Sequence, residues 1–73
     1  MNTQTLNGLP PINFEEKLTK HKAIQKAEEL SNKYRGWSIY VFFNLSGYYR
    51  VDYFGYVPDD EKHEATYYNG EKI

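Results

Sequence analysis

Cysteine does not occur in the 73 residues of this chain, which excludes a disulfide framework, thiolate chemistry and any cysteine-based zinc site. A chain without it leans toward the cytoplasm. Long apolar runs are missing as well. No stretch approaches the roughly 20 apolar residues of a membrane span, and the opening MNTQTLNGLPPINF has neither the basic start nor the apolar centre of a signal peptide. No membrane partner is expected.

Recognisable chemistry is equally scarce. There is no glycine-rich phosphate loop, no triad order and no metalloprotease helix signature. His21 and His63 are the only imidazoles, and neither has a nucleophile beside it in sequence, so both read as surface residues. Asp59, Asp60 and Glu61 with His63 and Glu64 concentrate carboxylates but lack the alternating ligands and glycine of a calcium loop. They read as a solvated acidic turn. No catalytic residue, cofactor or metal is expected.

Net charge is −1, and it is unevenly divided. Residues 1–36 carry six basic and four acidic groups, whereas residues 37–73 carry three basic and six acidic. That second half has the wrong sign for tracking phosphates. Lys22, Lys26 and Lys33 share one side of a helical stretch, partly offset by Glu29, and read as a solvated face.

What the chain has in abundance is rings. Between Gly36 and Tyr56 nine of 21 residues are aromatic. A chain this short withdraws only about 60% of its unfolded surface from water, so one core cannot hide them all.

Residues 1–12, with Gly8 and Pro10-Pro11, read as a flexible N-terminal arm, and residues 13–73 as a single αβββ domain. Asn13 offers a helix N-cap, Glu16 stands in the capping-box position, and a helix is predicted from Phe14 to about Tyr34, ended by Gly36. Ala23, Ala27, Leu30 and Tyr34, with Ile24 on the flank, form its core stripe. Phe14 and Leu18 project from nearly the opposite side. Either the helix bends, with Thr19 as a second N-cap, or these two side chains bury against a partner chain.

Two strands follow. Trp37, Ile39, Val41 and Phe43 alternate with Ser38, Tyr40 and Phe42, and Tyr49, Val51 and Tyr53 alternate with Tyr48, Arg50, Asp52 and Phe54. A three-residue loop of Leu45, Ser46 and Gly47, with Gly47 left-handed, sets Phe43 opposite Tyr49 and Val41 opposite Val51. A four-residue loop would place Arg50 and Asp52 against the core, at the cost of uncompensated polar burial. After a polar loop from Tyr56 to Lys62, residues His63 to Tyr68 read as a third strand with Ala65 and Tyr67 inward, and Asn69-Gly70 signals a tight turn into a fourth, short strand.

The order helix, hairpin, third strand, with GYYRVDY followed by ATYYNGEKI, resembles the layout of PepSY-type domains over residues 23–73. The Asp-Ala-x-Thr-Gly ending of such domains is here replaced by Tyr68-Asn69-Gly70-Glu71, so the resemblance is one of layout and not of motif.

The fold class predicted is α+β: a two-layer αβββ domain, one N-terminal helix packed on a three-stranded antiparallel β-meander. The helix covers one side of the sheet. Tyr40, Phe42, Tyr48, Arg50, Phe54 and Tyr68 are left on the other, among Ser38, Asp52, Glu64 and Thr66. Exposed rings in strands also serve cross-strand packing, but a contiguous patch dotted with Arg and Tyr is typical of protein contact surfaces. The expected function is a small non-enzymatic protein-binding module, acting as an adaptor, regulator or stoichiometric inhibitor through this face, with Phe14 and Leu18 as a second contact. The partner is another protein or a second copy of the chain. Stacking of single-stranded nucleic acid on the same rings is the alternative, disfavoured because Arg50 is the only basic residue there.

Overall fold

The helix starts later than the capping signal at Asn13 predicts. In the computed structural model of the chain, which describes residues 3–4, 12–13 and 16–73, α1 spans Lys20–Lys33 with Thr19 as N-cap, its Oγ1 accepting from the Lys22 N–H at 3.2 Å. Asn13 belongs instead to β2 (Ile12–Asn13), which pairs antiparallel with β1 (Thr3–Gln4). Phe14 and most of the expected N-terminal arm lie outside the described residues.

Leu18 shows why the helix cannot begin earlier. Its N–H donates to the Tyr49 carbonyl at 2.9 Å and its carbonyl accepts from the Tyr49 N–H at 2.8 Å, and backbone groups engaged in a ladder are not free for a helix. The expectation that Leu18 buries against a partner chain is corrected by its packing: the side chain is half-buried against the domain's own core.

From Lys20 onward the helix follows the sequence. Ala23 and Ala27 are fully buried, with Ile24, Leu30 and Tyr34 packed around them. Small side chains at those two positions let the helix sit close to the sheet. Ser31 is buried as well; its hydroxyl donates to the Glu28 carbonyl at 3.2 Å and accepts from the Gly70 N–H at 3.0 Å, tying the helix to the last hairpin.

Four strands form the main sheet: β3 (Ser38–Asn44), β4 (Tyr49–Asp52), β5 (Glu61–Tyr68) and β6 (Glu71–Lys72), in the order β4-β3-β5-β6, every neighbouring pair antiparallel. One helix on an antiparallel sheet is the predicted class, and the strand beyond the predicted three is the short one that the Asn69-Gly70 turn signals. Its order is not a meander. β3 sits between β4 and β5, and this placement removes a hazard, since a meander would leave the apolar run SIYVFFN as a sheet edge. The edge of β4 is partly closed by Leu18. Lys62, His63 and Glu64, on the stretch of β5 that β6 does not reach, are polar or charged, which discourages further strand addition.

The hairpin register is the predicted one. Phe43 opposes Tyr49, Phe42 opposes Arg50 and Val41 opposes Val51; Gly47 has φ of 101° and donates its N–H to the Asn44 carbonyl at 2.8 Å. At the far end Asn69 (φ 53°) and Gly70 (φ 85°) make the tight turn into β6. Ile39, Val41, Val51, Tyr53, Ala65 and Tyr67 face α1 and complete the core. Trp37, expected among them, stands at the sheet end and is exposed.

With β3 in the middle, β4 and β5 run parallel and their connection must cross β3. Asp52 lies opposite Tyr40 and Glu61 opposite Asn44, so the crossing covers four residues along β3 and two strand spacings, about 17 Å. The eight residues 53–60 reach about 27 Å when extended, enough without a helix. A Cβ on Gly55 would lie 3.1 Å from Tyr40 Cε1, which places this crossover segment over the sheet face opposite α1.

Candidate protein-contact surface

Neighbouring residues of a strand point to opposite faces, yet Val41 and Phe42 are both 0% exposed. The outer face is therefore not bare. Phe42 is sealed inside the monomer, which corrects its expected role as a surface ring.

Its cover is made of polar groups. The Arg50 guanidinium lies 4.7 Å above the Phe42 ring, His63 meets the ring edge-on at 6.2 Å, and Tyr40 stacks beside it at 6.4 Å. Arg50 Nη1 donates to Asp52 Oδ2 at 2.6 Å, Nη2 to Glu61 Oε1 at 2.6 Å, and Nε to Glu61 Oε1 and Oε2 at 3.0 and 3.1 Å. Asn44 Nδ2 donates to Glu61 Oε2 and to Asp60 Oδ2, each at 3.2 Å. Burial alone would lower the Arg50 pKa, but its hydrogen bonds to Glu61 and Asp52 outweigh that, and the pKa is raised above the ordinary guanidinium value. Among the described residues every buried side-chain nitrogen and oxygen has a partner, the condition under which buried charge is tolerated. Arg50, expected to offer its charge to a partner, is instead occupied within the fold.

A β-bulge brings the acidic members together. Val41 opposes Ala65, but Phe42 opposes His63, so Glu64 is the extra residue in β5. The bulge resets the alternation: Ala65 and Tyr67 face the helix, while Glu61 and His63 join Thr66 on the outer side. His63 Nε2 and Thr66 Oγ1 are 2.7 Å apart across it. Glu64, expected on the outer face, reaches Lys20 at the start of α1 at 3.5 Å. Nothing in the local sequence marks the bulge.

The remaining expected contact residues are dispersed. Tyr40 is half-buried beneath Gly55. Tyr48 is half-buried, with Lys17 Nζ 5.1 Å from its ring centre. Tyr68 is exposed at the far end of β5, and Phe54 is exposed at the start of the crossover. Around Phe54 the crossover adds residues that the sequence reading missed: Tyr56 is 77% exposed and Val57 40%, against 43% for Phe54 itself. Leu45, exposed at the hairpin tip, donates its N–H to the Asp60 carbonyl at 2.9 Å and so borders the end of the same segment. The available signal was length, since eight residues between strands exceed a hairpin loop.

Elsewhere the surface offers open grooves. One of about 420 Å³ runs beside the helix between Leu18, Lys22 and Gln25, spanned by the Lys26 to Glu16 ion pair at 2.6 Å. Another of about 500 Å³ is lined by polar groups near Asn32 and Gly70. Among the described residues no group of three or more His, Asp or Glu is placed to hold a metal ion, and no helix is long and apolar enough to cross a membrane.

No known protein family, curated protein or solved structure matches the chain. The PepSY-like layout therefore has no family match behind it.

Proposed function

We propose that the domain is a non-enzymatic protein-binding module whose contact surface is the outer side of the sheet as rebuilt by the crossover segment. The observation that carries this reading is the run Phe54 to Val57, in which three large apolar side chains within four residues stay in contact with water. Exposure of such side chains together is unfavourable unless something covers them, and Tyr in particular is suited to surfaces that alternate between wet and buried. The rings beneath, Tyr40 and Phe42, support the surface instead of forming it.

Stacking of nucleic-acid bases has less in its favour. Arg50 is bound to Asp52 and Glu61, and Asp59 and Asp60 flank the exposed rings, so the local charge repels phosphate.

The test is the variant Phe54→Ser/Tyr56→Ser. It should keep the wild-type circular dichroism and lose association with whatever protein the wild-type chain retains. Undiminished association would remove the crossover from the contact surface, and retention of a single-stranded oligonucleotide at low salt, lost as salt rises, would favour the nucleic-acid reading.

A further inference from the structure

We infer that the crossover segment is a preformed plug, seated through Tyr56 in an apolar pocket of a partner protein whose rim carries Lys or Arg. This rests on the protein-binding reading above and names the chemistry of the partner.

Tyr56 is the most exposed of the large hydrophobic side chains among the described residues, at 77%. It stands on a segment that is fixed at both ends. The Phe54 N–H donates to Asp52 Oδ1 at 3.2 Å. At the other end Asn44 Nδ2 donates to Asp60 Oδ2, the Leu45 N–H to the Asp60 carbonyl and the Glu61 N–H to the Pro58 carbonyl. Arg50 then joins the two ends, since Asp52 precedes the segment and Glu61 follows it. A loop ordered before binding has less conformational freedom to lose on docking. The segment rests on the sheet where Gly55 meets Tyr40, with Phe54, Tyr56 and Val57 exposed, and a side chain as exposed as Tyr56 is covered more fully by a recess than by a plane.

Charge selects the occupant. Asp59 and Asp60 are exposed directly after the apolar run, and among the described residues no cation pairs with either. A second copy of the chain that met this segment with its own crossover, across a two-fold axis passing beside it, would bring acidic groups against acidic groups, and like charges facing one another weaken a complex. A nucleic-acid backbone meets the same repulsion. Basic groups around a pocket complement them.

Photo-crosslinking tests this in the full chain, with Tyr56→p-benzoylphenylalanine as the probe and Tyr68→p-benzoylphenylalanine as a second position, irradiated in an extract of the cells that make the protein. Position 56 should give an adduct with another protein whose crosslinked peptide, sequenced by mass spectrometry, carries Lys or Arg beside the attachment point. Asp59→Lys with Asp60→Asn, which preserves the acceptor for Asn44, should lower the adduct yield about tenfold or more without changing the thermal midpoint. An adduct of two copies of the chain, a nuclease-sensitive adduct, a yield indifferent to the charge change, or no adduct at position 56 overturns the inference. An adduct from position 68 alone sinks the plug and leaves the protein-binding reading standing. Absence of adducts from both positions sinks both.

Discussion

The Arg50 guanidinium sits 4.7 Å from the centre of the Phe42 ring, and the pair closes the side of the sheet that α1 does not reach. Phe42 supplies an apolar floor, and Arg50, paired with Asp52 and Glu61, supplies a lid whose charge is neutralised on both flanks. The domain therefore has a second, smaller core built on charge pairing. That arrangement makes Arg50 more than a surface cation. Arg50→Met should destabilise the fold by about 3–5 kcal/mol, because two carboxylates are left buried without a counter-charge. Urea titration would read this as a lower midpoint. Adding Asp52→Asn and Glu61→Gln to Arg50→Met should recover much of the loss; a triple variant no more stable than the single would show that the ion pairs are not the reason.

Two rings, Phe42 on the central strand and Tyr56 on the crossover, test the difference between floor and cover. Phe42→Ala should cost about 3–5 kcal/mol, as expected for a large side chain lost from a packed site. Tyr56→Ser, on the crossover, should stay within about 0.5 kcal/mol, the ordinary range for an exposed position. Parallel thermal melts decide it. Equal costs at the two positions would mean that the outer face is either bare at Phe42 or closed over Tyr56.

The inner half of this fold was legible in the sequence because periodicity and loop chemistry agreed. The stripe of Ala23, Ala27, Leu30 and Tyr34, the Gly47 hairpin and the Asn69-Gly70 turn each follow from local rules. Thr19 was readable as a cap only as a second choice, since Asn13 carries the better capping box; the decision was made by the bridge from Leu18 to Tyr49, a contact between residues far apart in the chain. Sheet order and the bulge at Glu64 are also non-local. They moved Phe42 from surface to interior, and Glu61 from an acidic turn into partnership with Arg50. Tyr56 and Val57 were missed because a polar loop hides its apolar members when the path of the loop is unknown.

Gly55 offers a check on that path. A Cβ there would come within 3.1 Å of Tyr40 Cε1 and 3.2 Å of Cζ, tighter than side chains normally pack against a ring. Gly55→Ala should destabilise the domain by about 1 kcal/mol or more by forcing the segment off the sheet or the ring aside. In a Tyr40→Leu background, where the ring is absent, the same change should cost less. An equal penalty in both backgrounds would place the strain elsewhere.

Alkaline pH should expose the other side of the molecule. Tyr53 and Tyr67 are buried between sheet and helix, and burial, reinforced by Tyr34 near Tyr53 and by Glu28 and Glu64 near Tyr67, opposes their ionisation. The Tyr53 pKa is pushed up to about 12 from the ordinary 10.0, and that of Tyr67 is raised as well. Above pH 10.0 the unfolded chain begins to release the Tyr53 proton while the folded chain retains it, so stability is full below that pH and falls as pH climbs toward about 12. Thermal midpoints across that window should drop steadily. Tyr53→Phe removes one titrating group from the buried pair, so its stability profile should be shallower over the same range, whatever the variant costs at neutral pH. Identical slopes for variant and wild type would show that Tyr53 ionises as freely in the folded chain as in the unfolded one.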